Sequence, residues 1–372
     1  MTLDNYRHHV KEYFDPLAEN HNVLPGEHAY SHVNAFSSAM QAYLVLGDER
    51  YLRAATNGFR MVQEQSYATG GWGPDEAFVE PGQGLLDASL STTHSSFETP
   101  CGAYGHFKIT RYLLRVTRDS RYGDSMERIL YNTIGGATPI LADGTSFYYS
   151  DYNNAGKKVH YKDKWPCCSG TLPQVVADYT ISAYFPAPEG VYVNLYVPSR
   201  LSWNHNSVRC VIRQETEYPI SSLVTMRIEP SSPIEFSINL RIPAWAGGLT
   251  SVSVNGKRLK EVPSPGTFFA LRRTWKSGDI VELDLDQAVR KEPVDAQNTN
   301  QVALIRGPQV LFAISDRQPE LTLGQLEKPK LSKAGGNDWT LDLGHSSILL
   351  RPFSSIGGEV YQTYWKVNAA SS

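Results

Sequence analysis

Trp165-Pro166-Cys167-Cys168-Ser169-Gly170 contains two of the four cysteines of this chain, and these two are neighbours. A third cysteine, Cys101, follows a glutamate by three residues in Phe97-Glu98-Thr99-Pro100-Cys101-Gly102. Three thiolates and one carboxylate are a ligand set that zinc accepts, and thiolates favour zinc over magnesium or calcium. The sequence therefore predicts that these two stretches meet around one metal ion.

The cysteine pair has other interpretations. Adjacent cysteines also occur as buried apolar residues or as a strained disulfide, and Cys-Cys is not a standard metal-binding spacing. The flanking Pro166, Ser169 and Gly170 are turn-forming residues, so we expect a turn here and not the interior of a packed helix. The fourth cysteine, Cys210, lies in a strand-like run at 208–212, which predicts a small core residue.

The composition is that of an ordinary globular chain, with 372 residues, 41% hydrophobic and 20% charged. This length predicts two or three domains. The formal net charge of −3 gives no electrostatic reason to expect nucleic acid or an anionic membrane as a partner. No apolar run approaches the ~20 residues of a membrane span. Residues 1–5 are polar, no signal peptide is visible and cysteines are few, so we expect a cytoplasmic protein.

The first half of the chain has helical periodicity. Helices are expected at 29–46, at about 50–65 and at about 172–184. Two short segments recur in the same order, since 28–32 resembles 102–106 and 47–51 resembles 118–122. Chance matching of common helix-turn residues is the alternative, but the shared order favours a repeat. Each copy predicts a helix, a turn that begins with an aspartate and a second helix, which is the unit of α/α toroids and solenoids.

The periodicity changes to two from Val191 onward, which predicts strands. We expect strands at 191–197, 222–229, 234–242, 251–254, 268–271 and 279–285, weaker ones at 339–343 and 346–350, and a strand or hairpin arm at 144–152. This density of short strands predicts a β-sandwich. The fold class is then α+β and multidomain, with helical hairpins over 1–188, a sandwich over 189–315 and a further β segment over 316–372 that would be a partial second sandwich.

Three carboxylates, Asp75, Glu76 and Glu80, follow a glycine-rich loop. Such loops approach ligands closely, and a glutamate packed against Trp72 would have a raised pKa suited to a general acid. From the residues alone the three are nearly equivalent, and each is more often an exposed surface group. A thiolate nucleophile and a carboxyl acid/base ~5 Å apart would form a retaining glycosidase site.

Histidines are the next candidates, because His28, His32, His94 and His106 lie near the proposed site in sequence. Each alone is more often a hydrogen-bonded structural residue. His28 begins a helix and faces a loop end, so it is the first candidate for contact with a sugar hydroxyl. His94 and Tyr149 complete the expected substrate contacts.

A metal held by three thiolates and a carboxylate would be a poor Lewis acid, and a closed shell of four ligands is usually structural. The site would then explain stability alone. A zinc-bound cysteine is nevertheless deprotonated at neutral pH, so it is a nucleophile once it loosens from the metal.

The motifs at 70–78, 98–101 and 167–168 together resemble those of glycoside hydrolase family 127, which includes bacterial β-L-arabinofuranosidases. The second half agrees, because 240–246, 252–256, 274–279 and 303–308 look like the sandwich motifs of that family. The likeness covers about residues 20–315. It implies an (α/α)6 barrel followed by β-sandwich domains.

The resemblance also implies roles for single residues. Zinc would be held by Glu98, Cys101, Cys167 and Cys168. Cys167 would be the nucleophile that forms a thioglycosyl intermediate, whereas Cys168 would be a ligand only. Glu76 would be the acid/base, and His28 would match a substrate-binding histidine.

Two departures from the family pattern are visible. Thr99 and Pro100 separate the glutamate and cysteine ligands where the family has one residue, which indicates another substrate or a shifted ligand. Six helical hairpins need about twelve helices, and only five or six are predicted before Val191. The chain is therefore expected to be the C-terminal part of a longer enzyme, with apolar helix faces exposed where the toroid is interrupted.

The sequence leaves three functional hypotheses. The first is a retaining glycosidase with a zinc-bound Cys167, acting on a β-L-arabinofuranoside or oligosaccharide. A homodimer is one oligomeric state that we expect for it. The second is a zinc-stabilised carbohydrate-binding or scaffold protein without turnover. The third keeps hydrolysis but uses Glu76 and another carboxylate in an inverting mechanism.

Overall fold

The computed structural model of the chain describes residues 14–21, 28–318, 321–327 and 329–368. The polar residues 1–5, used above, lie outside the described residues. The helices are α1 (Asp15–Glu19), α2 (Ala29–Leu46), α3 (Glu49–Glu64), α4 (Leu85–Thr92), α5 (Thr99–Thr117), α6 (Arg121–Asn132), α7 (Cys167–Ile181) and α8 (Leu323–Glu327), with single 3-10 turns at Pro74–Glu76, Ile134–Gly136 and Phe353–Ser355.

Two helical hairpins, α2–α3 and α5–α6, repeat the same turn. Asp48 accepts a hydrogen bond from Arg50 N at 3.0 Å, and Asp119 accepts one from Arg121 N at 3.0 Å. Each aspartate satisfies a backbone donor that the first helical turn leaves without a partner. The predicted repeat of helix, aspartate-started turn and helix is therefore confirmed.

Helix α7 begins earlier than the sequence predicts. Pro166 is its N-cap, and the cysteine pair forms the first two helical residues, so the expected turn at 166–170 is wrong beyond the proline. A proline is compatible with a helix start because its missing N–H has no intrahelical partner there. The helix continues through Pro173, whose presence hid its first turns from a periodicity argument.

The strands are β1 (Phe97–Glu98), β2 (Tyr149–Ser150), β3 (Tyr184–Ala187), β4 (Gly190–Val193), β5 (Ser199–His205), β6 (Val208–Thr216), β7 (Leu223–Pro230), β8 (Ile234–Ile242), β9 (Ser251–Val254), β10 (Lys257–Arg258), β11 (Thr267–Trp275), β12 (Asp279–Asp284), β13 (Val289–Pro293), β14 (Gln301–Arg306), β15 (Gln309–Ile314), β16 (Leu321–Thr322), β17 (Leu331–Gly335), β18 (Asp338–Asp342), β19 (Ser347–Arg351), β20 (Tyr361–Gln362) and β21 (Trp365–Asn368). Of the strand expected at 144–152, only β2 forms, and it pairs with β1. Residues 141–145, which include the start of the expected strand, form a hydrogen-bonded turn instead.

Two sheets form the predicted sandwich. One has the strand order β10-β9-β12-β7-β6-β5, and the other has the order β11-β8-β4-β3. Alternate residues of facing strands, such as Ile212 and Met226 on the first sheet and Ile238 and Leu240 on the second, fill a common core. Cys210 belongs to this core and is fully buried, as predicted.

A third sheet follows, with β14 and β15 at its centre and β13 paired to β14. Ile305 and Phe312 on these strands pack with the helices in one hydrophobic core. The helical region therefore rests on the third sheet and contacts the sandwich through other side chains described below.

Apolar side chains are exposed on helices α2 and α7. Val45 and Leu46 at the end of α2 are 82% and 63% exposed, and Val176 and Ile181 on α7 are 48% and 60% exposed. Within the described residues, no helix combines the length and the apolar character needed to cross a bilayer.

A candidate metal centre beside a glutamate

Two helix N-termini bring the cysteines together. Cys101 lies in the first turn of α5, and Cys167 and Cys168 open α7. Glu98 is the N-cap residue of α5. A side chain at the N-cap and one three residues later lie on the same side of a helix start, so the two intervening residues do not separate Glu98 from Cys101. The positive end of each helix dipole also favours thiolates here.

The four ligand atoms converge. The Sγ atom of Cys101 lies 3.4 Å from that of Cys167 and 3.7 Å from that of Cys168. Glu98 Oε1 lies 3.2 Å from Cys167 Sγ and 3.4 Å from Cys168 Sγ. These spacings are close to the ~3.8 Å between ligands of a tetrahedral zinc ion bound at ~2.3 Å. All four cysteines are free, so the pair is not a vicinal disulfide.

The buried acidic groups of this cluster would be stabilised by a cation. The Glu98 side chain is fully buried, and its Oε2 atom has no hydrogen-bond partner among the described residues. Burial raises the pKa of Glu98 to about 7, and burial also raises the pKa of Cys168. Cys167 is the exposed thiol, and its hydrogen bond from Cys168 lowers its pKa to about 4. An unsatisfied buried carboxylate oxygen beside three sulfurs therefore fits a bound metal ion.

Glu76 stands beside this cluster on an unusual backbone. Asp75 and Glu76 both have positive φ, 51° and 63°, which costs roughly 1–2 kcal/mol per residue for side chains other than glycine. Tyr149 Oη donates to Glu76 Oε1 at 2.5 Å. His28 Nε2 lies 3.4 Å from Glu76 Oε2. Of the three acids that the sequence could not distinguish, Glu76 is the one that faces the cysteines.

His28 lies between the two glutamates. Its Nδ1 accepts a hydrogen bond from Ser31 N at 3.3 Å, so in the neutral ring Nε2 carries the proton. Nε2 lies 3.4 Å from Glu76 Oε2 and 3.8 Å from Glu98 Oε2. The ring therefore presents a donor to the space between the acid and the ligand set.

Tyr148 spans the site, and the sequence argument missed it. Its Oη lies 3.5 Å from Glu76 Oε1 and 3.6 Å from Cys167 Sγ, so the glutamate and the thiol are no farther apart than one tyrosine hydroxyl can bridge. Tyr161 stacks on Tyr148 with ring centroids 4.4 Å apart. The adjacent tyrosines at 148 and 149 are a visible signal in the sequence, but nothing in it marks Tyr161.

The other candidates lie elsewhere. His94 is 69% exposed and contacts Asp151 Oδ2 at 2.8 Å. Asp75 bonds to Thr93, and Glu80 is exposed. His106 is buried in α5 against Ser125, and His32 packs near Phe78. The expected set of Glu76, Tyr149, His28 and the four metal ligands is thus together, and the role of His94 stays a prediction.

Two family models match most of the described chain. A family model described as the GH127 catalytic domain of β-L-arabinofuranosidase matches residues 5–180, and one described as the GH127 middle domain matches residues 190–287. A non-reducing end β-L-arabinofuranosidase of Bifidobacterium longum subsp. longum is 23% identical over 296 residues, which is 72% of this chain and 43% of that protein.

Solved structures share the fold. A GH127 β-L-arabinofuranosidase from Geobacillus stearothermophilus T6 superposes with a TM-score of 0.77 at 22% identity, over 95% of this chain and 62% of that one. A second GH127 β-arabinofuranosidase gives 0.78 at 23% identity with the same coverage of both chains. The chain thus spans less than half of the curated relative and less than two thirds of these two structures.

Proposed function

The chain belongs to glycoside hydrolase family 127, and from this membership we propose that it is a retaining glycosidase for β-L-arabinofuranosides, with Cys167 as nucleophile and Glu76 as acid/base. The observation that carries the proposal is the single hydroxyl of Tyr148 within 3.5 Å of Glu76 Oε1 and 3.6 Å of Cys167 Sγ. A retaining site needs its two groups ~5 Å apart, which this bridge allows.

We propose zinc as the ion held by Glu98, Cys101, Cys167 and Cys168, because three thiolates select it over harder cations. The ion would supply the positive charge that keeps Cys168, whose pKa burial raises, deprotonated at neutral pH together with Cys167. The exposure of Cys167, in contrast to the buried Cys168, supports its assignment as the attacking thiolate.

The reaction then has two balanced steps. In the first, the sulfur of Cys167 bonds to the anomeric carbon while Glu76 gives its proton to the departing glycosidic oxygen, and the C–O bond breaks. In the second, the Glu76 carboxylate takes a proton from water, the water oxygen bonds to the anomeric carbon, and the C–S bond breaks. Two inversions leave the configuration retained. The proposed contacts for sugar hydroxyls are His28 Nε2 and Tyr149, with the exposed His94 farther out.

We also propose that the hairpins and α7 are part of an (α/α)6 toroid. For the domains, we propose the helical region over 1–188 and two β regions after it. Because β13, β14 and β15 pair in the third sheet, the division between the β regions is better drawn ahead of β13 than at 315.

The test is hydrolysis of an aryl β-L-arabinofuranoside by the whole chain, with metal analysis and NMR of the first-formed anomer. Cys167→Ser should lower kcat by about 10⁴-fold or more, whereas Cys210→Ser should keep it. Glu76→Gln should lower kcat by about 10²–10⁴-fold, and Glu80→Gln should not.

Each alternative predicts a different result. A wild-type protein that binds zinc and sugar but hydrolyses no furanoside would be the scaffold of the second hypothesis. A Cys167→Ser variant that stays active, or an inverted first product, would support the third.

A further inference from the structure

A hydrogen-bond cluster outside the proposed chemistry holds the backbone of Glu76. Thr93 Oγ1 bonds to Asp75 Oδ1 at 2.5 Å and accepts from Ser95 N at 2.9 Å. Asp75 N donates to Ser95 O at 3.0 Å. A threonine hydroxyl has one proton, and since a backbone N–H already donates to it, that proton goes to the carboxylate.

This cluster stabilises a conformation that the chain would otherwise avoid. Asp75 and Glu76 are consecutive residues with positive φ, and of the two only aspartate tolerates that region well. The turn itself adds two backbone bonds, from Glu76 N to Gly73 O at 3.1 Å and from Ala77 N to Pro74 O at 3.2 Å. The side chain of Asp75 therefore adds a connection from the strained pair to Thr93, beside the backbone bond from Asp75 N to Ser95 O.

Thr93 is a firm anchor for that tie. It is 8% exposed and ends helix α4, where its N–H donates to Ser89 O at 3.2 Å. Its carbonyl accepts from Asn153 Nδ2 at 2.8 Å. Thr93 thus joins three elements: its hydroxyl contacts the loop of Glu76, its N–H bonds to the end of α4, and its carbonyl bonds to the segment that follows β2.

We propose that Thr93 is a positioning residue for Glu76: through Asp75 it holds the left-handed turn that aims the Glu76 carboxylate at Cys167. The inference rests on the proposed function for its effect on turnover. Its effect on the loop conformation does not depend on the proposed function, so the effect on the loop and the effect on turnover can be measured separately.

The experiment compares two matched pairs of variants in the whole chain. Thr93→Val removes the hydroxyl at nearly constant shape, and Thr93→Ser keeps it. Asp75→Ala removes the acceptor, and Asp75→Asn keeps an acceptor oxygen and tolerates positive φ. Kinetics on an aryl β-L-arabinofuranoside, hydrogen exchange at the amides of Asp75 and Glu76, metal content and thermal midpoint are measured for each.

Thr93→Val and Asp75→Ala should lower kcat by about 10–100-fold with KM within about twofold, because a misplaced acid loses rate more than binding. Exchange at the two amides should become at least about 10-fold faster, while metal content stays unchanged. Thr93→Ser and Asp75→Asn should stay close to wild type in both readouts.

The inference is overturned if Thr93→Val keeps wild-type exchange and kcat, or if Thr93→Ser is as impaired as Thr93→Val. Loss of metal together with activity would show a structural role and would also overturn it. A wild type without turnover overturns the proposed function instead, and the exchange rates then decide the loop restraint alone.

Discussion

His106 shows how one buried residue sets a pH dependence. Its ring is fully buried in α5, Nε2 contacts Ser125 Oγ at 2.6 Å, and Nδ1 has no partner in the part of the chain that the structure describes. Burial lowers the pKa of His106 to about 3. Between pH 6.5 and 3 the unfolded chain binds a proton that the folded chain does not, so stability falls as the pH falls through this window, by up to about 1.4 kcal/mol per unit.

We therefore expect the free energy of unfolding of the wild type to fall more steeply from pH 6.5 to pH 4 than that of His106→Gln. Urea unfolding at several pH values measures the two slopes. His345→Gln, at an exposed position, is the control and should keep the wild-type slope. Parallel slopes for wild type and His106→Gln would show that the folded protein does accommodate the charged ring.

The residues that sequence could name at the site are those with rare chemistry. The three cysteines and the glutamate are recognisable because the chain has only four cysteines, so few groups of them could bind a metal ion. Tyr148 and Tyr161 are two of 21 tyrosines, and their role depends on the pairing of β1 with β2, which no local pattern encodes. His94 was named from nearness in sequence alone, and its contact with Asp151 does not decide its role, so it stays a prediction.

At the scale of elements, two helical glycines have opposite consequences. A Cβ at Gly102 in α5 would lie 2.3 Å from Phe97 Cε2 and 3.0 Å from Tyr30 Cδ1. A Cβ at Gly170 in α7 would have nothing within 4 Å. The first glycine is required for close packing beside Cys101, whereas the second only weakens its helix.

Gly102→Ala should therefore lower the free energy of unfolding by about 1–3 kcal/mol through overpacking, and Gly170→Ala should raise it by about 0.5–1 kcal/mol through helix propensity. Denaturant unfolding of both variants with the metal present measures this. Equal effects of the same sign would mean that the Phe97 ring moves aside without cost.

Elements were predictable where one pattern dominates. The helix at Ala29–Leu46 and the strand at Ile234–Ile242 match their predicted bounds, since each has a strong apolar period and a buried face. The strands Ser199–His205 and Val289–Pro293 were missed because most of their residues are only partly buried or exposed. The start of α7 was missed because proline and glycine mask its first turn.

At the scale of the whole molecule, one buried cluster joins the helices to the sandwich. Arg241 on β8 is fully buried and bonds to Asp124 and to Glu127, both on α6. Glu127 also accepts from Tyr218 Oη at 2.6 Å and from Trp245 Nε1 at 3.0 Å. No local pattern predicts this, because the carboxylates that pair with this arginine lie more than a hundred residues away in the sequence.

Removing one member of such a cluster should lower the free energy of unfolding by more than the whole cluster contributes to it. Arg241→Met would leave two carboxylates near each other without their cation, and breaking a buried ion pair in this way costs about 3–5 kcal/mol. Arg272→Met is the matched control, because Arg272 on β11 pairs with Glu235 at 2.9 Å in an exposed position, where such pairs contribute no more than about 1 kcal/mol.

We expect Arg241→Met to lower the unfolding midpoint strongly and to separate the transition of the sandwich from that of the helices, which carry the cysteines and Glu76. Denaturant unfolding followed by two probes, far-ultraviolet circular dichroism and metal release, measures this separation. Coincident transitions at the wild-type midpoint would show that the third sheet, and not Arg241, couples the helical site to the rest of the chain.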